Sequence, residues 1–149
     1  ALKVALAAAG IAEKKGCYDA DCGTQAEDLI PWLSGWYRAA WELKIVDGSR
    51  LFMPQIAITR GEATVMIAKA FKISAHRGCR AETPHCGAGY PNNFFNEIKD
   101  PTQGSYIRAL YDLKIIQGTG PNRFDPNGPI TRAEMAKIVT MAAEAMGKI

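Results

Sequence analysis

The stretches ITRGEATVMIAKAF (Ile58–Phe71) and ITRAEMAKIVTMAA (Ile130–Ala143) open alike, with Thr59 and Thr131 standing 72 residues apart. Each sets T-x-x-E ahead of apolar residues at helical spacing, the pattern of a capping box. In that arrangement the threonine side chain accepts from the backbone N–H three residues on, and the glutamate reaches back to the N-cap N–H. Thr59 with Glu62, and Thr131 with Glu134, therefore predict the starts of two equivalent helices. Capping does not explain Arg60 and Arg132, because a cation in the first turn opposes the helix dipole. Two readings stay open for them. One is an anion site in which the guanidinium fork and the exposed helix N–H groups hold one carboxylate together. The other is an arginine folded back on a neighbouring carboxylate or aromatic ring. As surface residues at helix starts, both are expected to contribute little to stability.

The likeness extends in both directions. The segment from Trp36 lies over the segment from Tyr106, so that Tyr37, Ala40 and Trp41 match Ile107, Leu110 and Tyr111 at the i, i+3, i+4 spacing of a buried helical stripe. Gly48 and Gly118 are the expected helix stops. Phe52-x-Pro54 and Phe124-x-Pro126 each place a ring two residues before a proline, which suits a ring tucked under a turn. At the N-terminus, ALKVALAAAGIAEKKGC lies without gaps on ATVMIAKAFKISAHRGC, putting Ala1 on Ala63 and Cys17 on Cys79. The chain thus reads as one domain of helix–loop–helix units: the last helix of a first unit (residues 1–14), a second unit (15–74) and a third (75–149). Its equivalent helices are expected at about 1–14, 60–74 and 132–146. The opening ALKVALAAAG, without an initiator Met, reads as the interior of a longer polypeptide.

Composition narrows the function classes. With 149 residues, 48% hydrophobic and 22% charged, the chain has the make-up of one globular domain with its own core. A net charge of +3 with scattered basic residues argues against nucleic acid as a partner. No apolar run approaches the roughly 18 residues of a membrane-spanning helix. Catalysis is not expected either. The two histidines, His76 and His85, lie in the second cysteine segment, and no nucleophile, base and orienter set or phosphate-binding loop is present. The acidic run with Asp19, Asp21, Glu27 and Asp28 lacks calcium-loop spacing and reads as solvated. Of the tryptophans, Trp41 is expected in the core. Trp32 is the better ligand candidate.

The ordered elements Trp32, Trp36-Tyr37, Ile45-Val46-Asp47-Gly48, Phe52-x-Pro54 and Ile58-Thr59-Arg60-x-Glu62, followed by Ile115-Ile116-Gln117-Gly118, Phe124-x-Pro126 and Ile130-Thr131-Arg132-Ala133-Glu134, resemble the S-layer homology domain. FNEI at Phe95 to Ile98 is similar to the opening of its repeats. The resemblance implies an all-α fold in which three repeats form a pseudo-threefold assembly around a central three-helix bundle. It implies a noncatalytic module, needing no cofactor, at the outer surface of a bacterial cell, in the wall or S-layer. There it would bind secondary cell-wall polysaccharide, often carrying pyruvate ketals, with Arg60, Arg132, Trp32, Gly48 and Gly118 as ligand-binding residues. Two departures matter. The position of Trp32 is Thr102 in the later unit, and the arginine of the first unit would precede Ala1. They leave open a second class, a structural module packing against other surface-layer subunits.

An exported relative would also explain the cysteines. Cys17-x4-Cys22 and Cys79-x6-Cys86 occupy corresponding places and are expected to form two local disulfides. The competing reading is zinc held by His76, Cys79, His85 and Cys86. The first pair has no histidine beside it, which favours the disulfides and no metal.

Overall fold

The computed structural model describes residues 1–14, 31–46, 57–76, 97–121 and 123–149, with the side chains of Pro31 and Trp32 outside that set. Among these residues the chain forms α1 (Leu2–Ala8), α2 (Pro31–Glu42), α3 (Arg60–Ala70), α4 (Pro101–Asp112) and α5 (Arg132–Ala145), and no strand. Four of the five starts have a local cause, while α1 begins after Ala1 without a side-chain cap. Proline opens α2 and α4, where a missing N–H costs nothing, and Asp100 caps α4 by accepting from Thr102 and Gln103 N–H at 2.8 and 3.2 Å. Thr59 and Thr131 form complete capping boxes at α3 and α5.

The helices α1, α3 and α5 each pack against the other two, while α2 lies along α1 and α4 along α3. Position in this arrangement sets each helix's burial. Helix α3 is covered on most sides and buries Gly61, Ala63, Thr64, Met66, Ile67, Ala68 and Ala70. Helix α5 buries one face, through Met135, Ile138, Val139, Ala142 and Ala143. Leu2, Ala5 and Leu6 of α1 complete the centre, and Tyr37, Ile107, Leu110 and Phe124 fill the space between it and the outer helices. No described helix is long and apolar enough to cross a membrane.

The helix ends correct the expected stops. Helices α2 and α4 end at Glu42 and Asp112, well before Gly48 and Gly118; Gly118 is in an exposed loop, and Gly48 lies outside the described residues. The stop is a lysine in the left-handed region, Lys44 (φ 55°) after α2 and Lys114 (φ 59°) after α4. Lys114 N–H donates to the Tyr111 carbonyl (2.8 Å) and Ile115 N–H to that of Leu110 (2.9 Å), which is a Schellman closure with a buried isoleucine beyond it. The same pair of bonds ends α3 at Lys72 (φ 57°), α1 at Gly10 (φ 77°) and α5 at Gly147 (φ 64°). Closure at Gly10 and Lys72 makes α1 and α3 shorter than the expected 1–14 and 60–74.

The stripe prediction also needs correcting. Tyr37, Ala40, Ile107 and Leu110 are buried, but Trp41 and Tyr111 are each 37% exposed. They sit in the last turn, where the chain is already reversing, so the expected core position of Trp41 is on the surface.

Candidate functional site

The two T-R-x-E openings sit at the heads of α3 and α5. At α3 the donors that make a helix start attractive to an anion are already engaged. Arg60 N–H donates to the Gly128 carbonyl (2.8 Å), Gly61 N–H to Pro126 (2.8 Å) and Glu62 N–H to the Thr59 hydroxyl (3.2 Å). Thr59 N–H donates to Glu62 Oε2 at 3.0 Å. The loop carrying Pro126 and Gly128 is held alongside by an antiparallel bridge between Thr59 and Pro129 and by Ile130 N–H donating to Ile58 (3.3 Å). At α5, Thr131 N–H and Glu134 N–H close the capping box (2.8 and 3.2 Å), and the N–H groups of Arg132 and Ala133 have no partner among the described residues.

The arginines differ as much as the backbones do. Arg60 is not a surface residue: its side chain is 13% exposed, and its Nη2 donates to Glu134 Oε1 at 2.6 Å, from the head of α3 to that of α5. The guanidinium lies 5.9 Å from the centroid of the Phe124 ring, within cation–π range, and Arg60 Nε is buried with no partner among the described residues. Arg60 thus folds onto a carboxylate and a ring at once. Arg132 is exposed.

Glu134 carries the electrostatic signature of the junction. The Arg60 hydrogen bond, followed by those from the Thr131 N–H and hydroxyl, holds its carboxyl at about 2, well below the ordinary 4.5. One oxygen, Oε2, accepts from Thr131 N–H and Thr131 Oγ1, both at 2.8 Å, while Oε1 serves Arg60.

Phe124 itself is fixed from below. Its ring is buried, and its N–H donates to Glu97 Oε1 at 2.5 Å, with Asp125 N–H donating to the same oxygen. Asp125 takes a left-handed turn (φ 58°) that brings Pro126 and Gly128 round to the head of α3. Glu97 therefore positions the loop that supplies both the ring and the two carbonyls.

Other expected residues are distributed as follows. Trp32 stands in the first turn of α2, with its side chain outside the described set, and Thr102 is exposed in the first turn of α4. Cys17, Cys22, Cys79, Cys86, His85 and the acidic run from Asp19 to Asp28 lie outside the described residues. His76 faces Asp112 (Nε2 to Oδ2, 3.8 Å), which also takes Arg108 Nε at 2.8 Å. A matching cluster joins Lys14 and Arg38 to Glu42. These clusters tie α3 to α4 and α1 to α2. Their sequence signal, a basic residue four before an acid at equivalent places on both outer helices, is legible in hindsight.

No curated protein matches the chain. Residues 99–136, which span α4, the Phe124 loop and the head of α5, match the S-layer homology domain.

Proposed function

We propose that this chain is a noncatalytic anchoring module that binds an anionic secondary polymer of the bacterial cell wall, on the extracellular face, with Arg132 as the cation that meets it first. S-layer homology domains are in general non-catalytic modules of cell-wall and cell-surface attachment. The observation that carries the reading is the exposed Arg132 at a helix head with two N–H groups unengaged among the described residues, inside the segment that matches that domain. A guanidinium fork next to such donors suits a carboxylate, and a pyruvylated sugar supplies one.

Around that head the proposal is a pseudo-threefold arrangement of repeat units, supported by the mutual packing of α1, α3 and α5 and the like placement of α2 and α4. The units are those at residues 1–14, 15–74 and 75–149. Arg60, Trp32, Gly48 and Gly118 are proposed as the other ligand-binding residues, and Cys17–Cys22 and Cys79–Cys86 as local disulfides of an exported chain.

The test is a pull-down with purified wall sacculi before and after their secondary polymer is stripped. The wild type is expected to bind only the unstripped wall. Arg132→Ala should lose about 1.5–3 kcal/mol of binding, as expected for a charge-assisted contact, with an unchanged thermal midpoint. Equal binding by wild type and Arg132→Ala, or equal binding to stripped wall, would remove this reading and leave packing against other surface-layer subunits as the function.

A further inference from the structure

One edge of the Arg60 guanidinium is half-satisfied among the described residues. Its Nε and Nη2 form one edge of the fork, with two N–H bonds pointing the same way, and a carboxylate with two free oxygens fills that edge completely. Glu134 cannot do so. Its Oε2 is committed to Thr131 N–H and Thr131 Oγ1, so only Oε1 reaches Arg60, at Nη2. Nε is left buried without an acceptor among the described residues. A buried donor in that state is unfavourable, and any group that supplies the missing acceptor gains from it.

We propose that Glu134 is an internal competitor for the Arg60 site: it occupies the guanidinium with one oxygen, and a ligand carboxylate displaces it by offering two. This rests on the reading of the module as a binder of anionic polymer and adds how one of its sites is regulated. Nε is closed off from solvent and Glu134 Oε1 occupies the Nη2 end of the same edge, so a ligand carboxylate takes the full edge only in a state in which Oε1 has moved away and Nε is uncovered. Glu134 need not leave altogether, because Oε2 can remain on Thr131 while the other oxygen turns to water. The Phe124 ring lies against the guanidinium, its centroid 5.9 Å from Arg60 Cζ. The engaged N–H groups of Arg60, Gly61 and Glu62 add no donors, so the fork alone sets the affinity at this head. Apparent affinity then falls by the fraction of molecules in which the site is open.

Glu134→Gln tests this, since its amide carbonyl can still accept from Thr131 and keep the capping box, while its NH2 repels Arg60. Acetate is titrated into the full chain, followed by the Arg60 Nε–Hε resonance. Glu134→Gln is expected to bind about tenfold more tightly than wild type, and the gain should vanish when Arg60→Ala is added. In the wild type the Glu134 carboxyl carbon and Arg60 Hε should move together with one affinity, a readout that does not depend on the variant folding. Equal acetate affinity in wild type and Glu134→Gln, or an Arg60 shift with a static Glu134, would overturn the competitor role and leave the anion site standing. Absence of any acetate effect on Arg60 in both proteins would overturn the competitor and the Arg60 site together.

Discussion

At the head of α3, the first backbone donors end on carbonyls of the loop before α5, and the arginine is stacked on a ring and paired with a carboxylate. At the head of α5 the same four-residue motif leaves two donors and its arginine open among the described residues. Both heads carry a complete capping box, so the threonine and the glutamate do the same local work in each. What differs is the neighbour. A motif can therefore fix how a helix starts without fixing what its arginine does, and the arginine's role is read from whatever loop lies against it.

The sharpest way to break the comparison is to remove the floor of the α3 head. Phe124→Ala deletes a ring that is 1% exposed and should cost about 3–5 kcal/mol, as buried aromatic deletions do. At this chain length that is a fall of roughly 6–20 °C in thermal midpoint. A fall of under about 2 °C would mean that the ring does not pack beneath Arg60.

Exchanging the arginines gives a smaller contrast. Arg60→Ala removes a largely buried side chain and its ion pair and should cost roughly 1–2 kcal/mol, whereas Arg132→Ala should stay within about 0.5 kcal/mol of wild type. The Arg60 deficit also has a pH signature. Because the folded Glu134 carboxyl sits at about 2 instead of 4.5, its contribution is complete above pH 4.5 and is lost as pH falls through about 2. Arg60 is the largest cause of that shift, so the gap between wild type and Arg60→Ala should narrow over the same window. Thermal midpoints at pH 7 and pH 2 check it, and a gap that widens in acid would contradict the pairing.

The smallest expected effect is a gain. Lys114→Gly places the residue best suited to a left-handed closure where lysine now adopts φ 59°, and should stabilise by about 0.5–1 kcal/mol. Lys44→Gly and Lys72→Gly should behave alike, while Gly10→Lys should lose a similar amount. Chemical denaturation with an unchanged slope would measure all four, and a loss in the lysine variants would show that those closures are not left-handed.

Legibility in the sequence follows the range of each interaction. The helix starts were written locally, in T-x-x-E and in Asp100-Pro101, because a cap is made within four residues. The repeat made the places of the equivalent helices a matter of counting, but it did not show that α2 lies along α1 and α4 along α3, each against the helix before it in the chain. Helix ends were hidden, since lysine is a strong helix former and gives no hint that it will take a positive φ. Trp41 misled because helical spacing marks a face without saying where the neighbouring helix stops. The Arg60–Glu134 pair was out of reach for another reason: it joins residues 74 apart, and only the packed units show that the arginine of one opening meets the glutamate of the other.

That long-range pairing also bears on the order in which the chain is made. Residues 60–70 leave the ribosome with the first turn of α3 incomplete, because its acceptors at Pro126 and Gly128 and its carboxylate at Glu134 are all still to be translated. Until they arrive, the donors and guanidinium face water and only the Thr59–Glu62 box holds the start. The loop that must close to finish it spans most of the second half of the molecule, an entropic cost met late. A polypeptide released before Pro126 would contain every residue of α3 and still lack the partners that seat its first turn.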